Sequence, residues 1–94
     1  TYSLLGQRQR AISDLDKAIQ LDPESADAYH SRGFAYGGLG QHRRAIEDYD
    51  LAILFKPNLA EAYSDRAIAY RNLGEYTQAD ADEAKACSLD SKYC

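Results

Sequence analysis

Two histidines, two cysteines and a short glycine cluster are the residues whose types could do chemistry in this 94-residue chain. His30 stands three positions after Asp27, so on a helix the two share a face. Glu61 lies on the corresponding face of a later segment. An Asp27–His30–Glu61 cluster offers two carboxylates and an imidazole to a divalent metal. Solvated faces often carry such sets without fixed supporting partners, and no metal or cofactor is expected. His42 precedes Arg43 and Arg44 and reads as a solvated position. No Ser or Cys stands near a histidine and an acid in a spacing suited to nucleophilic catalysis, so the chain does not read as an enzyme. Gly37, Gly38 and Gly40 lack the lysine and preceding strand of a phosphate loop and read as a helix end. Cys87 and Cys94 have neither redox nor zinc spacing. Cys87 reads as a small packed side chain, with a disulfide the alternative.

The elements that must position these residues follow from a 34-residue period. Residues 2–23 match residues 36–57 at twelve of 22 positions, including Tyr2/Tyr36, Leu5/Leu39, Gly6/Gly40, Ala11/Ala45, Ala18/Ala52 and Pro23/Pro57. Residues 26–57 match residues 60–91 at eleven of 32, including Tyr29/Tyr63, Arg32/Arg66, Tyr36/Tyr70, Gly40/Gly74 and Ala52/Ala86. Fifteen alanines and few β-branched residues favour helix. Each unit reads as two helices. In the middle unit the first spans about Ser25 to Leu39, with Ser25 as N-cap and Gly40 closing its last turn. The second spans about His42 to Phe55 and stops before Pro57. The third unit repeats this from Leu59 to Gly74 and from Tyr76 to Leu89. Thr1 to Leu5 read as the last turn of a first helix, followed by a separate helix from about Gln9 to Leu21.

The period, with Tyr29, Gly33, Tyr36, Leu39, Gly40, Ala45, Ala52 and Pro57, resembles the tetratricopeptide repeat family. Tyr63, Ala67, Tyr70, Leu73, Gly74, Ala79 and Ala86 repeat the pattern. Tyr replaces the family's frequent Trp, and Ser91 stands where Pro is expected. The resemblance implies an all-α fold: a right-handed α-solenoid of antiparallel helix pairs with five main helices. It divides residues 1–94 into a partial repeat (1–25), a full repeat (26–59) and a full repeat with a polar last helix (60–94). Gly33, Ala45, Ala67 and Ala79 are small where paired helices approach. Asp80 and Glu83 replace Ile46 and Tyr49, giving the last helix the polar outer face of an array end. Ile12, Leu15 and Ile19 are expected to be partly bare, which points to a longer array or to self-association through the N-terminal end.

The family's geometry implies a concave groove. It would be lined by Asp27, His30, Ser31, Phe34, Gly37 and Gly38 in the middle unit. Glu61, Ser64, Asp65, Ile68, Arg71 and Asn72 follow in the third, with Ser3 and Leu4 at the open end. Phe34 and Ile68 are apolar yet lie off the packing stripe, so each is a candidate peptide anchor or a packing residue within the array. Some family members grip chaperone-tail carboxylates with Lys, Arg and Asn at these positions. This chain supplies Asp27, Glu61 and Asp65 instead, which repel a carboxylate. The expected partner is a neutral or basic peptide or protein segment. The alternative is a structural role, in self-association or in spacing other domains. Eleven basic against fifteen acidic residues give a net charge of -4, which argues against nucleic acid. The longest apolar run, Leu51 to Phe55, is too short to span a membrane. The compartment stays open, with the cytoplasm favoured.

Overall fold

The computed structural model describes residues 2–94, with side chains from Gly6 onward. Five α-helices follow one another: α1 (Tyr2–Leu21), α2 (Ala26–Gly38), α3 (His42–Phe55), α4 (Ala60–Asn72) and α5 (Tyr76–Leu89). A short 3₁₀ turn, Ser91–Tyr93, closes the chain. The pairs α2/α3 and α4/α5 pack within repeats, and α1/α2 and α3/α4 pack between them. No described helix is long and apolar enough to cross a membrane.

Local chemistry sets the helix limits. The Ser25 hydroxyl accepts a hydrogen bond from the Ala28 N–H, satisfying a donor left free by the first helical turn. Gly40 and Gly74 adopt φ of 79° and 78°, where a Cβ would be strained. Each glycine turn lets the next N–H reach back, Gln41 to the Tyr36 carbonyl and Glu75 to the Tyr70 carbonyl, both at 2.9 Å.

The core is thin and rich in alanine. Ala45, Ala52, Ala62, Ala67 and Ala79 are fully buried, while among the described residues no large side chain is completely enclosed. One cluster joins Ala45, Ile46, Tyr49 and Ala69, flanked by Tyr36, Tyr70 and Leu73. A second joins Tyr29, Ala52 and Ala62. Small side chains let backbones approach, and tyrosines fill the remaining gaps. An ideal Cβ at Gly33 would meet the Tyr49 ring at 2.8 Å and the Ala45 carbonyl at 3.1 Å. The third unit carries Ala67 at that position and Glu83 where Tyr49 stands. The larger residue thus pairs with no side chain, and the slimmer one admits a methyl.

Two expectations change. Helix α1 runs unbroken from Tyr2 to Leu21, without the turn expected at Gly6. Continuing the ladder through Gly6 keeps the backbone groups on either side of it bonded. Ile12, Leu15 and Ile19 are each half-buried, and Ile19 packs on the Tyr29 cluster. Cys87 is not a free packed thiol. It is joined to Cys94, because the 3₁₀ turn brings the two Cα atoms to 4.7 Å.

Asp80 and Glu83 are solvated on α5. Asp82, by contrast, faces inward and is buried.

Candidate functional site: a groove between α2 and α4

Helical spacing places Asp27, His30, Ser31 and Phe34 on one face of α2, and Glu61, Ser64, Asp65, Ile68 and Asn72 on one face of α4. The two faces meet. His30 Nε2 lies 2.8 Å from Asp65 Oδ2 across the repeat boundary. Beside this bridge opens a pocket of about 200 Å³. Phe34, Asp65, Ile68 and Asn72 line it, with Gly37 and Gly38. Tyr49, Ala45 and Ala69 form its buried wall. Phe34 and Ile68 remain 64% and 56% exposed, so neither is absorbed by packing within the array.

The other expected residues stand around the pocket without lining it. Asp27, Ser31 and Glu61 are solvated, and His30 and Ser64 are half-buried. Ser3 and Leu4 fall outside the side chains described. Arg71 is drawn away to the polar end: it donates to Glu83 at 2.7 Å and to Asp80 at 2.8 Å. Its long guanidinium finds two carboxylates on α5 where the middle unit has Ile46 and Tyr49.

Arg8 and His42 line the pocket although neither was expected there. His42 is half-buried, not solvated. The two residues are 34 positions apart, so the repeat itself relates them, one on α1 and one on α3. Arg8 crosses the α2 backbone at Gly38, where even a Cβ would collide with it. The pocket therefore has two electrostatic ends. Asp65, with Asp27 and Glu61 nearby, makes one acidic; Arg8 makes the other basic.

The proton on His30 follows from this setting. The Asp65 hydrogen bond raises the imidazole pKa above its usual value and outweighs the opposing effect of burial. Glu61 and Asp27 add smaller contributions of the same sign. Tyr49 is pushed the other way from ionising, chiefly by burial, and stays a neutral wall. The ligand atoms of His30, Glu61 and Asp65 all lie within 4.8 Å of one another. Asp65, not Asp27, completes the set, because α4 brings it across to His30. A metal there would have to displace the hydrogen bond that His30 shares with Asp65.

Two further ion clusters tie the helices together. Arg32 donates to both oxygens of Asp48, at 2.9 and 2.7 Å, and to Asp16 at 2.9 Å. Arg66 repeats this with Asp82, at 2.8 and 2.7 Å, and Asp50 at 2.8 Å. Each arginine thereby ties three successive helices. Asp48 and Asp82 are only 3% and 6% exposed, so the forked guanidinium compensates a charge that water cannot reach. The Arg32/Arg66 recurrence was visible in the sequence, but its carboxylate partners were not.

Models of the tetratricopeptide repeat match residues 1–40, 26–59 and 59–89. The chain belongs to the tetratricopeptide repeat family. Among solved structures it is similar to MamA, at 36% identity and a TM-score of 0.87, over 92% of this chain and 50% of that one. The first such domain of Spaghetti (RPAP3), bound to the HSP90 peptide SRMEEVD, matches at 27% identity and a TM-score of 0.89. That match covers 92% of this chain and 68% of the other. The TPR2B domain of yeast Sti1, in complex with pHsp70, matches at 29% identity and a TM-score of 0.88, covering 93% and 70%. The chain thus spans about half the length of the MamA structures it matches. Comparison with curated protein sequences finds no match. By family the chain is a protein-interaction module.

Proposed function

We propose that the α2/α4 groove binds a peptide or protein segment, without catalysis, and that its preferred ligand is neutral or basic. The observation that carries this reading is the exposure of Phe34 and Ile68 in a preformed pocket beside three carboxylates. An apolar ligand side chain seats between them, and a flanking cation faces Asp27, Glu61 and Asp65. Two relatives hold peptides of chaperones, which makes a peptide the natural ligand class. A chaperone-tail carboxylate is disfavoured for this chain. Phe34 and Ile68 occupy inner positions where a carboxylate clamp needs Asn, Lys or Arg, and the three acids repel a second negative charge. The basic end at Arg8 is a single cation and does not reverse this.

The test compares two probes by calorimetry at low salt. One is an amidated peptide of alternating lysine and leucine; the other is SRMEEVD. The lysine–leucine peptide is expected to bind more tightly, and Asp27→Lys with Glu61→Lys to weaken it and flatten its salt dependence. Preference for SRMEEVD, or no change on charge reversal, contradicts the reading.

A further inference from the structure

We propose that the open face of α1 docks an arginine-bearing helix, and that Asp14 is the residue that grips its guanidinium. The argument starts from the two complete ion clusters. Arg32 lies sixteen residues from each partner, Asp16 and Asp48, and Arg66 lies sixteen from Asp50 and Asp82. A shift of 34 residues maps Asp82 onto Asp48, and Asp48 onto Asp14. Asp48 and Asp82 are buried and held by a forked pair of bonds. Asp14 is exposed and, among the described residues, forms no ion pair.

The rest of that face agrees. Ala11 and Ala18 are half-buried, whereas Ala45, Ala79, Ala52 and Ala86, their counterparts, are closed off. Leu21 is 88% exposed. Its counterparts Phe55 and Leu89 are 38% and 36% exposed, and Phe55 is covered by the Tyr29 ring at a centroid distance of 5.8 Å. The opposite side of α1 is already used as in α3: Asp16 reaches Arg32, and Ile19 packs on the Tyr29 cluster. One side of α1 is therefore complete and the other is shaped for a partner. On α5 the series stops, because Ala84 stands where Asp16 and Asp50 would require an acid.

Charge and shape commit the occupant. A lone carboxylate flanked by alanines on a helix accepts a guanidinium fork better than a point charge. In both internal copies the arginine is followed by Gly33 or Ala67 and preceded three positions earlier by Tyr29 or Tyr63. The docking helix thus carries tyrosine, arginine and then a small residue in that register. This inference does not depend on the groove's ligand.

The test extends the chain before Thr1 with a copy of residues 24–34, which sets the copied arginine sixteen residues ahead of Asp14. Urea unfolding is followed for this chain, for its copied arginine changed to alanine, for Asp14→Asn, and for both. The extension is expected to raise the unfolding midpoint. The two changes are expected to be non-additive by about tenfold or more in the unfolding equilibrium constant, as for a charge-assisted pair. Asp14→Asn without the extension is expected to be silent. An unchanged midpoint, or additive effects, would overturn the proposal. So would a dimer of the unextended chain, seen by sedimentation and abolished by Leu15→Glu, which would assign the face to a second copy.

Discussion

Asp48 and His30 show how much a single charged side chain decides here. Asp48 is buried on α3, and its charge is met by the Arg32 fork from α2. Removing the carboxylate leaves a guanidinium with half its partners gone. Asp48→Ala is therefore expected to lower stability by about 3 kcal/mol, which chemical denaturation would detect. Asp16, on the solvated side of the same arginine, should cost far less when removed, within about 1 kcal/mol. His30 gives a pH signature. Its folded-state pKa is raised, so the Asp65 bridge contributes fully below the unfolded value of 6.5. The contribution is lost as pH rises through the folded value. Relative to His30→Gln, the natural chain should be more stable at pH 5.5, with the difference shrinking at alkaline pH. A difference that grows with pH would contradict the assignment.

At the scale of helices, the sequence was most informative where one residue decides a backbone conformation. Ser25, Gly40 and Gly74 set the limits of α2 and α4 as expected, because capping and positive φ are local matters. Gly33 was legible as a close approach, and its neighbour is the Tyr49 ring. Gly33→Leu must displace that ring or push α2 from α3, and is expected to cost at least about 1–3 kcal/mol, read as a lower melting temperature. Gly33→Ala sets a gain of about 1 kcal/mol in helix propensity against the same collision. What escaped the sequence depends on how helices cross. Gly6 matches Gly40 in type, yet it continues α1 where Gly40 turns the chain at a φ of 79°. Asp65 displaced Asp27 beside His30, and Arg71 turned to the end helix. A face can be read from spacing, but the residue opposite it depends on the register between helices.

For the molecule as a whole, the period explains why a chain with so thin a core folds. Each repeat buries alanines and tyrosines against its neighbours, and the arginine clusters fasten three helices at a time. Stacking leaves a preformed cleft, so the proposed binding is expected to require little rearrangement of the backbone. The cleft's apolar pair, Phe34 and Ile68, was legible because both lie off the packing stripe. Its basic end was not, since Arg8 comes from the helix whose course was misjudged. The central claim is that ligand contacts centre on this pair. Amide and side-chain NMR shifts, followed while the lysine–leucine peptide is titrated into the chain, test it most directly. The account predicts changes concentrated at Phe34, Asp65, Ile68 and Asn72, and an affinity at least about tenfold weaker in Phe34→Ala with Ile68→Ala. Changes centred instead on Leu54 and Tyr76, exposed apolar residues that do not line the pocket, would contradict it.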